Sequence, residues 1–151
     1  MVAIFRKIDL KGDFYNAIRS IAVGGGMDAN GGMRPPTGVS GSNLVLSFDD
    51  ASVTGRITAS AAQHLKNPIA AADYQSLGEV TNTPQAAINN GVLVSLHHST
   101  WIVTGTSYLT SLTIDERSVV KTARGNSPTM RVDGVVVPAR PGTYRGNIVV
   151  D

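Results

Sequence analysis

Between Gly91 and Lys121 the chain reads GVLVSLHHSTWIVTGTSYLTSLTIDERSVVK, a stretch that no helical period fits. Val, Ile, Thr, Leu and aromatic residues fill Val92–Leu96, Thr100–Thr104, Tyr108–Ile114 and Ser118–Lys121, so the pattern predicts four short strands in succession. Between them lie His97-His98-Ser99, Gly105-Thr106-Ser107 and Asp115-Glu116-Arg117, each polar and of turn length. Strands this short suit a meander of hairpins or the coils of a β-solenoid.

The pattern extends to both sides. Asn43–Phe48 and Ser52–Thr58 are predicted strands joined by the Asp49-Asp50 turn, and they form a weak internal repeat with the later stretch. Ser47-Phe48 followed by Val53-Thr54-Gly55 parallels Ser95-Leu96 followed by Val103-Thr104-Gly105. Towards the end, Thr129–Val132 and Val135–Val137 flank Asp133-Gly134, the composition of a type I′ hairpin turn. Tyr144–Val150 makes a last strand after Pro141-Gly142.

Two segments predict helix instead. In Asp13–Val23, Phe14, Ala17, Ile18, Ile21 and Ala22 fall at i, i+3, i+4 spacing behind Asp13 as N-cap, which predicts a short amphipathic helix. In the insertion 59–90, Ala59–Leu65 and Ala70–Leu77 predict helical turns separated by Asn67-Pro68, with an extended piece over Glu79–Pro84. Residues 24–41 are rich in Gly and Pro and read as a linker. The expected organisation is therefore an N-terminal strand or helix plus linker over 1–41, then a β-solenoid domain over 42–151 carrying the insertion.

Composition agrees with a mainly β protein: 42% of residues are hydrophobic and 16% charged, and sixteen glycines and seven prolines supply turns. Net charge is +2, but the basic residues are scattered without a run, so no nucleic-acid footprint is expected. With no cysteine, disulfides and thiolate metal sites are excluded. Arg6, Lys7, Asp9, Lys11 and Asp13 interrupt the apolar centre a secretory signal would need. Nor is there a run of roughly 18 apolar residues, so membrane insertion is not expected.

Ser52–Ser60, Asp73–Asn82, Ala87–Val103 and above all STWIVTGTSYLTSLTID (Ser99–Asp115) resemble a segment of the right-handed parallel β-helix, autotransporter-passenger-like repeat proteins of bacterial cell surfaces. LGEVTNT (Leu77–Thr83), INNGV (Ile88–Val92) and the closing PGTYRGNIVV (Pro141–Val150) resemble the end of such a helix. The resemblance runs over residues 42–151 and implies a fold of stacked coils with inward Val, Ile and Leu. It also implies an extracellular or cell-surface setting. A β-sandwich is the alternative fold.

The candidate chemistry is sparse. His97 and His98 are adjacent at a strand end, where alternation aims them to opposite sides, so no zinc site is expected. His64 would need Asp73 or Glu79 folded back onto it to form a ligand set. The pairs Asp49-Asp50 and Asp115-Glu116 would form an acidic strip if their turns stack. Trp101 or Tyr108, if outward, would stack on a sugar ring, with His97, His98 and Asp115 nearby as polar contacts. No P-loop, dinucleotide fingerprint or nucleophile elbow is present.

The expectation is a non-enzymatic structural or adhesive module without a cofactor. It self-associates, as a homo-oligomer or filament, through strand edges or coil ends, with Phe14, Ile18, Ile21, Tyr144 and Ile148 as assembly residues. The alternatives are a glycan-binding module and a polysaccharide lyase or hydrolase working through acids such as Asp115 and Asp73.

Overall fold

A computed structural model describes residues 1–20, 39–40, 42–66, 72 and 79–151. Their strands, in chain order, are β1 (Val2–Arg6), β2 (Asp9–Lys11), β3 (Phe14–Ser20), β4 (Val39–Ser40), β5 (Leu44–Asp49), β6 (Ser52–Thr54), β7 (Ile57–His64) and β8 (Val80–Pro84). These are followed by β9 (Val92–His97), β10 (Thr100–Val103), β11 (Ser107–Ile114), β12 (Val119–Thr122), β13 (Met130–Val132), β14 (Val135–Val137) and β15 (Gly142–Val150). The protein is mainly β, with three sheets and no helix among the described residues.

The passes β1-β2-β3 and β5-β6-β7 each contribute one strand to each sheet, whereas β9 and β11 lie in the first sheet and β10 and β12 in the second. The seven-stranded sheet has the order β1-β5-β9-β11-β15-β13-β14, with β1, β5, β9 and β11 parallel and the last three joined antiparallel. A second sheet, β12-β10-β6-β2, is parallel throughout. In the third, β3 lies parallel to β7, with β8 and β4 antiparallel at its flanks.

The register explains why one face of each strand is apolar. Phe5 pairs with Phe48, Phe48 with Leu96 and Leu96 with Ile114, a column that points inward. In the second sheet Leu10, Val53, Trp101 and Val120 are in register, and Val53 and Trp101 are wholly buried. Alternating side chains on one strand thus meet the same alternation on the next, and a slip of one residue would expose the whole column.

Three bends between the first and second sheets use a residue of left-handed backbone, Lys7 (φ 51), Asp50 (φ 49) and His98 (φ 46), whereas the β11–β12 bend does not. Amide bonds link neighbouring bends, from Lys7 N to Asp49 O and from Asp50 N to His97 O, each 3.0 Å. At the next bend a glycine is required, because a Cβ on Gly55 would overlap the Gly12 carbonyl oxygen. Asparagines tie the third bend: Asn16 Nδ2 donates to Ser42 O and Gly91 O, and Asn90 Nδ2 donates to Asn16 O and Ser60 O.

Both helical expectations on described residues are corrected. Phe14–Ser20 is a strand, because its backbone meets β7 from Phe14 opposite Ile57 to Ile18 opposite Ala61. Asp13 does not start a helix: its carboxylate accepts the Arg56 N–H at 2.7 Å and the Tyr15 hydroxyl at 2.8 Å. Ala59–Leu65 likewise lies almost wholly in β7, paired on one side with β3 and on the other with β8. Helix propensity over so few residues is worth less than a ladder of long-range amide bonds on both edges. Ala70–Leu77, apart from Ala72, and 24–41, apart from Val39 and Ser40, fall outside the described residues. Residues 1–18, expected as a segment ahead of the linker, lie in the same sheets as β5, β6 and β7.

Candidate functional site at the uncovered end

β1 has β5 on one edge, and among the described residues no strand lies on the other; β2 in its sheet is placed the same way. An edge of this kind carries a row of free N–H and C=O groups. Its outward side chains are apolar, with Val2 71% and Ile4 58% exposed, while charge enters only at Arg6, Lys7, Asp9 and Lys11. Beneath the edge Phe5 stacks on Phe48 at 5.3 Å between ring centroids, and Phe14 meets both edge-on. Phe48 is completely buried, whereas Phe5 and Phe14 are only partly so, leaving aromatic surface at this end.

The opposite end of the same sheet is built differently. β15 runs antiparallel along β11, placing Ile148 against Leu109 and Val150 against Ser107, and β13 adds Met130 opposite Val150. Ile148, Val150 and Met130 are fully buried, so this end is closed by its own chain. Among the described residues the sheet's other free edge is therefore the short β14, where Val135 and Val136 point to solvent. Asp133 and Gly134 both have positive φ, as the predicted hairpin turn requires.

The predicted assembly residues divide accordingly. Phe14 lies at the uncovered end, and Ile18 is buried in β3. Ile21 is outside the described residues. Ile148 is corrected: it belongs to the closed core and presents no surface. Tyr144 is half-buried and donates its hydroxyl to Pro138 O and Arg140 O, bracing the loop before β15.

The predicted sugar-contact residues do not converge either. Trp101 is 0% exposed and donates Nε1–H to Gly55 O at 3.0 Å, so its ring is core and offers no face to a ligand. Tyr108 is half-buried on another strand, its N–H donated to Thr58 Oγ1. His97 and His98 are exposed, and the ring of His98 sits between two carboxylates, Nδ1 3.5 Å from Asp50 and Nε2 3.7 Å from Asp115.

Asp115 organises that bend. It accepts from Ser118 Oγ at 2.6 Å, from the His98 N–H at 3.0 Å and from the Arg117 N–H at 3.2 Å. Burial pushes its pKa upward, but these donors and the nearby His98 outweigh it and hold the carboxyl below its ordinary value. Ser118 Oγ accepts from Ser99 N, and Ser99 Oγ accepts from Ala51 N, so hydroxyls run through the stacked bends. An acid saturated by structural donors is a poor general acid or base. His64 and Glu79 stand exposed at the β7–β8 hairpin, Asp73 is outside the described residues, and no three metal-ligating side chains cluster among those described. No described helix is long and apolar enough to cross a membrane.

Residue-type alternation could not have singled out the uncovered end, since β1 looks like any other strand until its neighbours are known. Compared with family models, with curated proteins and with solved structures, the chain has no match.

Proposed function

We propose that the chain is a β-helix module of the autotransporter-passenger-like kind, with a structural or adhesive role at a bacterial surface, that associates with a second copy through its uncovered end. The observation that supports this most is the parallel stacking of β1, β5 and β9 with an apolar, unpaired β1 at the outermost position among the described residues. A second copy offers the matching chemistry: the edge of β14, with Val135 and Val136 outward, has free amide groups to pair and β-branched side chains to bury beside Val2 and Ile4. A contact of one end with the other is heterologous, and repeated contacts of that kind build a filament rather than a closed dimer.

The test is sedimentation velocity over a wide concentration range, with electron microscopy of the largest species. Wild type grows in size with concentration, and the growth survives salt because amide pairing and apolar burial drive it. Ile4→Lys puts a charge on the free edge without touching the core, and holds the chain as a monomer. A wild-type monomer at every concentration, or unchanged assembly in Ile4→Lys, sinks the reading.

A further inference from the structure

Beside the middle of β11, at Thr110 and Ser111, a cleft of about 500 Å³ opens towards the returning segment Ala87–Gly91. That volume falls within the range of roughly 300–1,000 Å³ found for small-molecule sites. Its rim holds Asn43, Thr110, Ser111 and Arg145, with Leu93 and the exposed Ile88 as apolar surface.

Arg145 is placed there by a bulge. Leu109 pairs with Ile148 and Ser111 with Arg145, so β15 carries an extra residue opposite Thr110, in a stretch containing Gly146 and Asn147. Asp133 fixes the bulge by accepting the Asn147 N–H at 2.8 Å, and a Cβ on Gly146 would lie only 2.5 Å from the same carboxylate. Bulges re-aim a side chain that regular pairing would point elsewhere. Asp133 is thereby occupied, and among the described residues the Arg145 guanidinium has neither an ion pair nor a hydrogen bond.

We propose that this cleft binds one uronic-acid residue of an acidic polysaccharide, with Arg145 holding the carboxylate. A planar guanidinium donates two parallel N–H bonds to a carboxylate. One cation suits a single negative charge, and no Lys or His lines the cleft to balance a dianionic phosphate. The Asn43 amide and the Ser111 hydroxyl match ring hydroxyls, while Leu93 and Ile88 meet the C–H face of the ring. The site uses no residue of β1 or β14, so neither proposal needs the other.

Isothermal titration of the whole chain with a triuronide, with the same trisaccharide after reduction of its carboxyls to alcohols, and with acetate tests this. The triuronide binds; the reduced trisaccharide and acetate each bind at least about tenfold more weakly, since a hydrogen-bonded charge is commonly worth a factor of ten or more. Arg145→Gln loses the same factor towards the triuronide while its melting temperature stays unchanged, because the side chain is exposed. Ile88→Asp, which removes an apolar contact and puts a carboxylate on the rim, weakens the triuronide more than the reduced sugar, because only the triuronide also meets like charge. Equal affinity for the acid and its reduced form, undiminished binding in Arg145→Gln, or no saturable binding of the triuronide overturns the proposal.

Discussion

The two flanks of the seven-stranded sheet begin from similar material, short strands rich in Val and Ile, and end in different states. At the β15 flank the chain reverses direction and lays Ile148, Val150 and Met130 over the last parallel strand, so the interior is sealed. At the β1 flank the parallel stack stops among the described residues with Phe5 and Phe14 half covered. A parallel stack can always accept another strand, because each layer presents the hydrogen-bonding pattern the next one needs. An antiparallel return ends that repetition, so the interior is sealed at the β15 flank while the parallel pattern stays open at β1 among the described residues.

The comparison predicts unequal sensitivity to truncation. Ile148→Ala removes a wholly buried side chain from the sealed flank and costs about 2–5 kcal/mol. Phe5→Ala, though it deletes a larger group, removes one that is only partly buried and costs about 1–2 kcal/mol. Urea denaturation of both variants measures the difference, and an equal or reversed order would show that the β1 flank is covered in solution.

An effect smaller than that of Ile148→Ala is expected at the bend after β6. Gly55→Ala drives a methyl group into the Gly12 carbonyl and should destabilise by about 1–3 kcal/mol through displacement of β2, the outermost strand. Hydrogen exchange places the loss: faster exchange in β2 with β15 unchanged fits the contrast, whereas uniform acceleration would mean that the flanks open together.

The smallest effect is acid sensitivity at the first bend. Because Asp115 is held below its ordinary value of 3.8, its contribution to stability is complete above that value and is lost as pH falls through the lower folded value. The gap in melting temperature between wild type and Asp115→Asn should therefore hold steady at pH values well above 3.8 and narrow as pH falls below it. A gap that stayed constant with pH would mean that the carboxylate charge plays no part in fixing the bend. Asp13, also held low, by donors from Arg56 and Tyr15 that outweigh its burial, loses its contribution in the same acid direction.

Strand identity was legible wherever side-chain alternation and turn residues coincide. Val92–His97, Ser107–Ile114 and the Asp133-Gly134 hairpin lie within a residue or so of their expected places because those signals are local. Sequence alternation alone could not choose between Trp101 as a sugar platform and Trp101 as core, since both faces of a strand look alike until one is covered. The same limit hid Arg145, whose position depends on a bulge fixed by Asp133 from another hairpin.

What the sequence determined by itself was a mainly β chain of short strands, its bends, and a scarcity of catalytic chemistry, because period-two patterning and turn propensity act over a few residues. Only the tertiary structure decided that Phe14–Ser20 and Ile57–His64 are strands rather than helices. Their amide groups find partners far along the chain, and those bonds outweigh a local preference. It also decided which flank is sealed, because burial belongs to neighbouring strands and not to any one of them.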